Sequence, residues 1–452
     1  MTSIAIIDTI GLVYDGSTLS KRGLGGSESA VILISKELAA LGFEVTVYNN
    51  CEDSQARPGI YDGVEYKPIR ECKNKQHDIA ISSRTVLPFC PEHHFKNFTN
   101  TPEPFDTFET ARNAKHKILW LHDTFCVGDQ LIEEMVVSGQ IDELFTLSDF
   151  HTAYITNCDH GGRRNFEVLK NKVFITRNGV VNRKKWVDVK KKDPNLFVYN
   201  ASVTKGMIPL VTKIWPELKR RIPEAKLVVI GGFYRFRDGA PPDKQEEDWH
   251  KLRAEYEAKN IDISFTGVIS QTDIADILER ASFFLYPGAF PETYGISMME
   301  SMTYNTPMVT CKFGATEETA IADANYLIDY AIEPNSLFPW INTDEQCRKF
   351  VDVAEHAYRN KYLHQQKMYA CNRVKETVGW YSVALQWKQH FYKKLGLYLP
   401  VEEYRRVRDI NERIHRVFGR RFSNPEEWIV RKRPEQKIVV ITPFYNAKDY
   451  II

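Results

Sequence analysis

The 452-residue sequence predicts an α/β protein: two doubly wound, parallel-sheet domains in tandem, followed by a helical extension. Two observations carry this. Short β-branched runs, apolar throughout, alternate with amphipathic stretches of helix length, which is how buried parallel strands under covering helices read. The alternation also occurs twice, with an interruption between the two series. At about 100–200 residues per domain the chain holds two or three domains, each long enough to bury its own core.

The first series predicts strands at Ser3–Asp8, Glu44–Tyr48, Asp78–Ser82, Lys117–Leu121, Glu143–Leu147 and Lys172–Thr176. VNRKKWVDVKKKDP, near Val181–Pro194, breaks the rhythm and reads as a solvated, charged linker rather than a basic patch for an anionic partner. The second series follows at Leu196–Asn200, Lys226–Ile230, Ile261–Thr266, Ser282–Tyr286, Pro307–Cys311 and Asn325–Ile328. Gly379–Leu395 then carries apolar residues at helical spacing, with Lys393 and Lys394 in its last turn and Gly396 where a helix-ending glycine belongs. A charged helical segment is expected from Val401 to about Arg433, and KIVVITPFYNAKDYII opens a fresh strand. The expected division is 1–183, 184–378, a helix at 379–396 crossing back to the first domain, a helical linker at 397–436, and the start of a further module at 437–452.

Composition narrows the function. Sixty basic against fifty-nine acidic side chains leave a formal net charge of +1, with no global field to draw in nucleic acid. No window approaches the ~18 consecutive apolar residues of a membrane span, and the N-terminus lacks a signal peptide's basic start. The eight cysteines are scattered with no C-x-x-C pair, which suits a reducing cytoplasm. Neither G-x-S-x-G nor G-x-x-x-x-G-K-[ST] occurs, which disfavours serine hydrolases and P-loop NTPases. D-x-D is absent, and Cys90-Pro91-Glu92-His93-His94 has no second cluster at zinc spacing, so no metal is expected.

Four segments carry chemistry. Gly23-Leu24-Gly25-Gly26-Ser27-Glu28 precedes a well-marked helix, whose N-terminus can hold an anion on backbone N–H groups; a flexible loop ahead of a helix is the competing reading. Trp120-Leu121-His122-Asp123 ends a strand at the sheet edge where α/β folds bind ligands, although a histidine capping a loop would look the same. Lys205, in Asn200-Ala201-Ser202-Val203-Thr204-Lys205-Gly206, sits at a strand–helix junction as a point charge for phosphate, or as a plain surface lysine. The sharpest is Pro291-Glu292-Thr293-Tyr294-Gly295-Ile296-Ser297-Met298-Met299-Glu300. Glu292 falls in a loop and Glu300 about one turn into a helix, so two carboxylates can accept hydrogen bonds from vicinal hydroxyls, while Met298 and Met299 fill core.

The order of these features resembles the retaining glycosyltransferases of family 4, which have the GT-B fold of two Rossmann-like domains facing a cleft. The resemblance spans roughly residues 1–395 and also takes in Asn178-Gly179-Val180 and Gly314-Ala315-Thr316-Glu317. It implies that Gly25 and Gly26 contact the donor diphosphate and that His122 lies beside the transferred sugar. By the same resemblance Lys205 binds the diphosphate on the Ser202 loop, and Glu292 holds sugar hydroxyls. Tyr294, Gly295, Ile296 and Ser297 would offer backbone N–H groups, and Glu300 would grip the ribose. The arginine often found in that family a few residues before this lysine, near Asn200, is missing here, and Tyr294 stands for the commoner phenylalanine.

The implied activity is metal-independent transfer of a hexose from a nucleotide sugar to a saccharide or lipid-linked acceptor, without a cofactor. A cytoplasmic location is expected, with Arg163 and Arg164 available for contact at a membrane's inner face. The terminal sixteen residues resemble the opening strand of family 2 (GT-A) glycosyltransferases, so a second transferase module in a longer natural chain is expected. The alternatives are an inactive donor-binding scaffold and a GT-B sugar-nucleotide epimerase.

Overall fold

Eight strands form the first sheet: β1 (Ser3–Asp8), β2 (Glu44–Asn49), β3 (Gly59–Tyr61), β4 (Val64–Pro68), β5 (Ile79–Ser83), β6 (His116–Trp120), β7 (Glu143–Thr146) and β8 (Val173–Ile175). This computed structural model describes residues 1–53, 55–98, 103–157, 166–181, 187–232, 244–288, 290–329, 343–375, 377–418, 429–430 and 439–440. The strand order is β3-β4-β2-β1-β5-β6-β7-β8, and every pairing is parallel except β3 with β4. Ile6 sits between Val47 and Ile81, fully buried, as a central parallel strand requires. The second sheet has β9 (Asp193–Asn200), β10 (Lys226–Ile230), β11 (Ile263–Gly267), β12 (Ala281–Tyr286), β13 (Met308–Cys311) and β14 (Tyr326–Ile328). It is parallel throughout, in the order β11-β10-β9-β12-β13-β14.

The expected α/β architecture therefore stands, and each apolar run of the sequence is a strand. The β3–β4 hairpin was not anticipated. It turns on Asp62 and Gly63, both with positive φ (50° and 80°), a pairing that favours two-residue hairpins.

In each sheet the strand order reverses once: beside β1, where the chain moves from β4 to β5, and beside β9, where it moves from β11 to β12. In doubly wound folds the crevice beyond the strands' C-terminal ends at such a reversal is where ligands bind. The two crevices face each other. Thr293 Oγ1, beyond β12, donates to the His122 carbonyl, beyond β6, at 2.5 Å. Glu318 of the second domain accepts from the backbone N–H groups of Asp149 (2.9 Å) and Phe150 (2.6 Å), capping the first-domain helix Asp149–Asn157.

The helix Trp380–Lys394 packs on the first sheet. Trp380, Val383, Trp387 and Phe391 are buried there with Ile6, Trp120 and Phe145. Its polar anchor is Glu143, whose Oε2 lies 2.6 Å from His390 Nε2 and whose Oε1 lies 3.1 Å from Lys394 Nζ. Burial works against the Glu143 charge, yet hydrogen bonds from His116 and His390 hold its carboxyl well below the usual carboxylate range. The two strands of chain that join the domains run side by side, Val180 N–H donating to Val378 O at 2.7 Å. Gly179 permits this approach, since a Cβ there would lie 2.6 Å from the Trp380 ring.

Two expectations need correction. The charged helix begins at Val401 and is described as far as Phe418, but Ile429–Val430, expected as helix, pairs as a short antiparallel strand with Val439–Val440. Apart from Val439 and Val440, the strand and turn expected at 437–452 lie outside the described residues, as do Arg163 and Arg164.

The second correction concerns the linker: Lys190 and Lys191 are exposed, but Lys192 is buried. Its ammonium donates to Leu278 O (3.0 Å), Ala281 O (2.6 Å) and Thr306 Oγ1 (2.9 Å), closing the C-terminal end of the helix Gln271–Arg280. Lys192→Met, which keeps the length but leaves only the Thr306 hydroxyl to serve the two carbonyls, should cost about 1–3 kcal/mol in denaturant melts of the chain. An unchanged midpoint would mean that water replaces the ammonium.

Candidate active site

Beyond β9 the chain makes the turn Val203–Lys205, and beyond β12 it makes the loop that leads into the helix Ile296–Thr303. Because β9 and β12 are neighbours, these two loops are neighbours also. Lys205 Nζ and Glu292 Oε1 lie 2.7 Å apart. The Glu292 carboxylate is 7% exposed and the Lys205 side chain 30%, so the cation is the solvent-facing member of the pair. The Tyr286 O–H also donates to Glu292 Oε1, and the Lys205 ammonium lies 4.9 Å from the centre of the Phe290 ring.

Gly295 is the N-cap of the Ile296–Thr303 helix at φ +79°, ψ 62°, a left-handed conformation that glycine adopts without strain. The first N–H groups of that helix have no partner within it. Opposite them lies the first turn of the helix Gly26–Ala40: a Cβ on Gly26 would stand 3.5 Å from Ile296 Cδ1. Two helix N-termini, one per domain, therefore meet across the crevice beside Lys205, an arrangement that favours negative charge. Gly25 leaves room for the Glu28 carboxylate, which folds to within 2.3 Å of where a Cβ would be.

The first domain contributes His122 and Asp123. His122 is 5% exposed, its ring 4.1 Å from that of Trp120, and among the described residues its Nε2 has no hydrogen-bond partner. Burial, with Arg84 and His151 nearby, pushes the imidazole well below its ordinary range, so it is neutral at pH 7. The half-buried Asp123 carboxyl is raised by burial and lowered by Lys205 and Arg84. Its carbonyl accepts from His151 Nε2 at 2.9 Å, while His151 Nδ1 accepts from Leu147 N–H at 3.2 Å, which fixes that imidazole's tautomer.

Under this floor is a buried charge group. Arg84, 12% exposed at the side chain and with φ +64°, donates to Asp8 Oδ1 (3.1 Å) and Glu28 Oε1 (2.9 Å), and Tyr14 O–H donates to Asp8 Oδ2 (3.0 Å).

The structure thus brings together Lys205 with Glu292, Gly26 with Ile296, and His122 with the loop after Glu292. Ser202 belongs to the same turn as Lys205, its carbonyl accepting from Tyr199 O–H at 2.9 Å. Tyr294 turns its side chain into the core, where burial pushes its phenol up to about 12, so only its backbone can serve the crevice. Ser297 is half-buried in the first helical turn, and Glu300 is buried one turn further on. Asp8, Arg84, Tyr286, Thr293 and Glu318 were not singled out from sequence. Asp8, Arg84 and Tyr286 end or follow strands at the sheets' C-terminal edges, and that position was the available signal. Elsewhere, His93 and His94 meet Glu134 with ligand atoms within 4.8 Å, but Cys90 turns inward against Met135 Sδ.

Comparison with solved structures decides the fold. A sucrose-phosphate synthase from Thermosynechococcus elongatus superposes with TM-score 0.58 at 15% identity, covering 88% of this chain and 100% of that one. Anabaena HepE, solved in complex with UDP and glucose, gives 0.57 at 11% identity over 86% and 99%. A glycosyltransferase from Rickettsia africae gives 0.57 at 11% identity over 87% and 99%. The fold is GT-B. Residues 181–337 match the family model of glycosyl transferases group 1. That stretch holds all six strands of the second sheet with Lys205, Glu292 and the Ile296–Thr303 helix, so the matched domain is the one that carries the Lys205–Glu292 side of the crevice. A search of curated proteins finds no relative. Among the described residues no helix of this GT-B chain is long and apolar enough to cross a membrane.

Proposed function

We propose that this chain transfers a hexose, with retention of configuration, from a nucleoside diphosphate sugar to a saccharide or lipid-linked acceptor in polysaccharide or glycoconjugate synthesis. The observation that carries the reading is the Lys205–Glu292 pair beside two facing helix N-termini. A diphosphate supplies the negative charge that those N–H groups and Lys205 favour, and a hexose supplies hydroxyl donors for Glu292.

The diphosphate would rest between Gly25–Gly26 and Gly295–Ser297 with Lys205, and Glu300 would accept from the ribose. The sugar would lie between Glu292 and His122, whose neutral imidazole can accept or donate a hydrogen bond without repelling a developing positive charge. As the bond from the anomeric carbon to phosphate breaks, the leaving oxygen becomes negative. The acceptor hydroxyl then attacks from the same face and gives its proton to that oxygen, so configuration is kept and no enzymic nucleophile is needed. Lys205 and the helix N–H groups would stabilise the leaving charge in place of a metal. The acceptor would approach over the first domain, at the cytoplasmic side of a membrane, and a second transferase module would follow in the natural chain.

A melting panel with UDP, GDP, ADP, CMP, dTDP and NAD, without added metal, tests this. At 100 times its dissociation constant a ligand adds ~2.7 kcal/mol, enough to raise the midpoint by several degrees. One nucleoside diphosphate should stand out and name the donor base. A flat panel would overturn the reading.

A further inference from the structure

The Glu292 carboxylate is held unevenly. Its Oε1 takes both the Tyr286 phenol and the Lys205 ammonium, whereas no hydrogen bond reaches Oε2 among the described residues. Tyr286 ends β12 and is 1% exposed. Its ring lies parallel to that of Tyr199 in the adjacent strand β9, with centroids 6.2 Å apart and planes 7° apart. The Tyr199 phenol donates to the Ser202 carbonyl, one turn before Lys205. Each strand at the reversal point thus offers one tyrosine, one fixing the carboxylate and the other the turn that carries the cation.

We infer that Tyr286 is a positioning residue: it saturates Glu292 Oε1 so that Oε2 alone faces the sugar hydroxyl. This rests on the transfer reading above. The phenol suits the role because burial, and then the Glu292 charge, push its ionisation well above the ordinary range, so it remains a donor across the working pH. A fixed, neutral donor orients the carboxylate without adding charge that would compete with Lys205 for phosphate. Removing it lets the carboxylate turn, and an oxygen with no fixed position cannot strengthen its hydroxyl contact selectively in the transition state.

Tyr286→Phe keeps the ring and its stacking on Tyr199. In a transfer assay with the sugar nucleotide picked out by the melting panel, kcat should fall about tenfold while the donor's KM stays within threefold. Affinity for the bare nucleoside diphosphate should stay within twofold. In a Glu292→Gln background the same substitution should add almost no further loss, because the phenol acts through the carboxylate. A kcat within twofold of wild type, or an undiminished loss in the Glu292→Gln background, would overturn the assignment. So would a parallel fall in bare-nucleotide affinity and melting temperature, which would make Tyr286 a core residue only. A wild-type chain that binds no nucleoside diphosphate would instead remove the transfer reading, and this inference with it.

Discussion

Glu292→Gln is expected to lower turnover by roughly two orders of magnitude while leaving nucleoside diphosphate affinity intact or up to about threefold tighter. The amide keeps the carboxylate's shape, so the loop before Gly295 should not move. It loses the charge that accepts from Tyr286 and that holds Lys205 at 2.7 Å. For transfer this removes an acceptor whose contact with a sugar hydroxyl is worth most when positive charge builds on the ring. For binding the sign is opposite. Lys205 is released from its internal partner and becomes fully available to phosphate. Lys205→Ala should give the complementary pattern, with nucleoside diphosphate affinity down about tenfold, since a charge-assisted contact is worth ~1.5–3 kcal/mol. Isothermal titration with the bare nucleotide, alongside initial rates with the sugar nucleotide, separates the two. Equal losses of binding in both variants would mean that the pair acts as one structural unit and that neither charge meets the donor.

That split could not be read from the sequence, although most of the fold could. Parallel strands buried on both faces, such as Ile4–Ile7 and Phe283–Tyr286, carry so uniform an apolar signature that they are visible without any partner. The β3–β4 hairpin escaped because β3 is only three residues long and β4 alternates apolar with polar residues, so neither is an apolar run, and only Asp62-Gly63 betrays it. Lys192 escaped for another reason. A lysine among lysines looks solvated until the ends of the Gln271–Arg280 helix and β12 close around it, and no local pattern encodes that enclosure. Lys205 and Glu292 were each legible from their places after strands. Their contact depends on β12 docking against β9 rather than against β11, which is a property of the sheet order. The roles of Tyr286 and Glu318 depend on the same non-local geometry, one across neighbouring strands and the other across the crevice.

Arg84→Met should be the most damaging single change to stability, about 3–5 kcal/mol, or on the order of 10 °C in melting temperature at pH 7.5. Asp8 is fully buried and Glu28 nearly so, and the Arg84 guanidinium bonds to both. Methionine fills the space but leaves two carboxylates sharing a site with no such cation between them. The pH dependence gives the cause away. In the wild type, burial already raises the Asp8 carboxyl above its ordinary value while Arg84 pulls it down. Without Arg84 it should rise further. A carboxyl whose folded pKa is raised binds more protons folded than unfolded, so its penalty grows with pH and fades as pH falls through that pKa. The deficit of Arg84→Met relative to wild type should therefore be largest near pH 7.5 and shrink toward pH 5, with the acid loss tied to Glu143 common to both chains and cancelling in the difference. Nucleotide affinity should weaken too, because Glu28 lies in the first turn of the helix whose N-terminus faces Ile296. A deficit that stays constant with pH would assign the cost to lost packing at a backbone position of positive φ, and the charge explanation would fail.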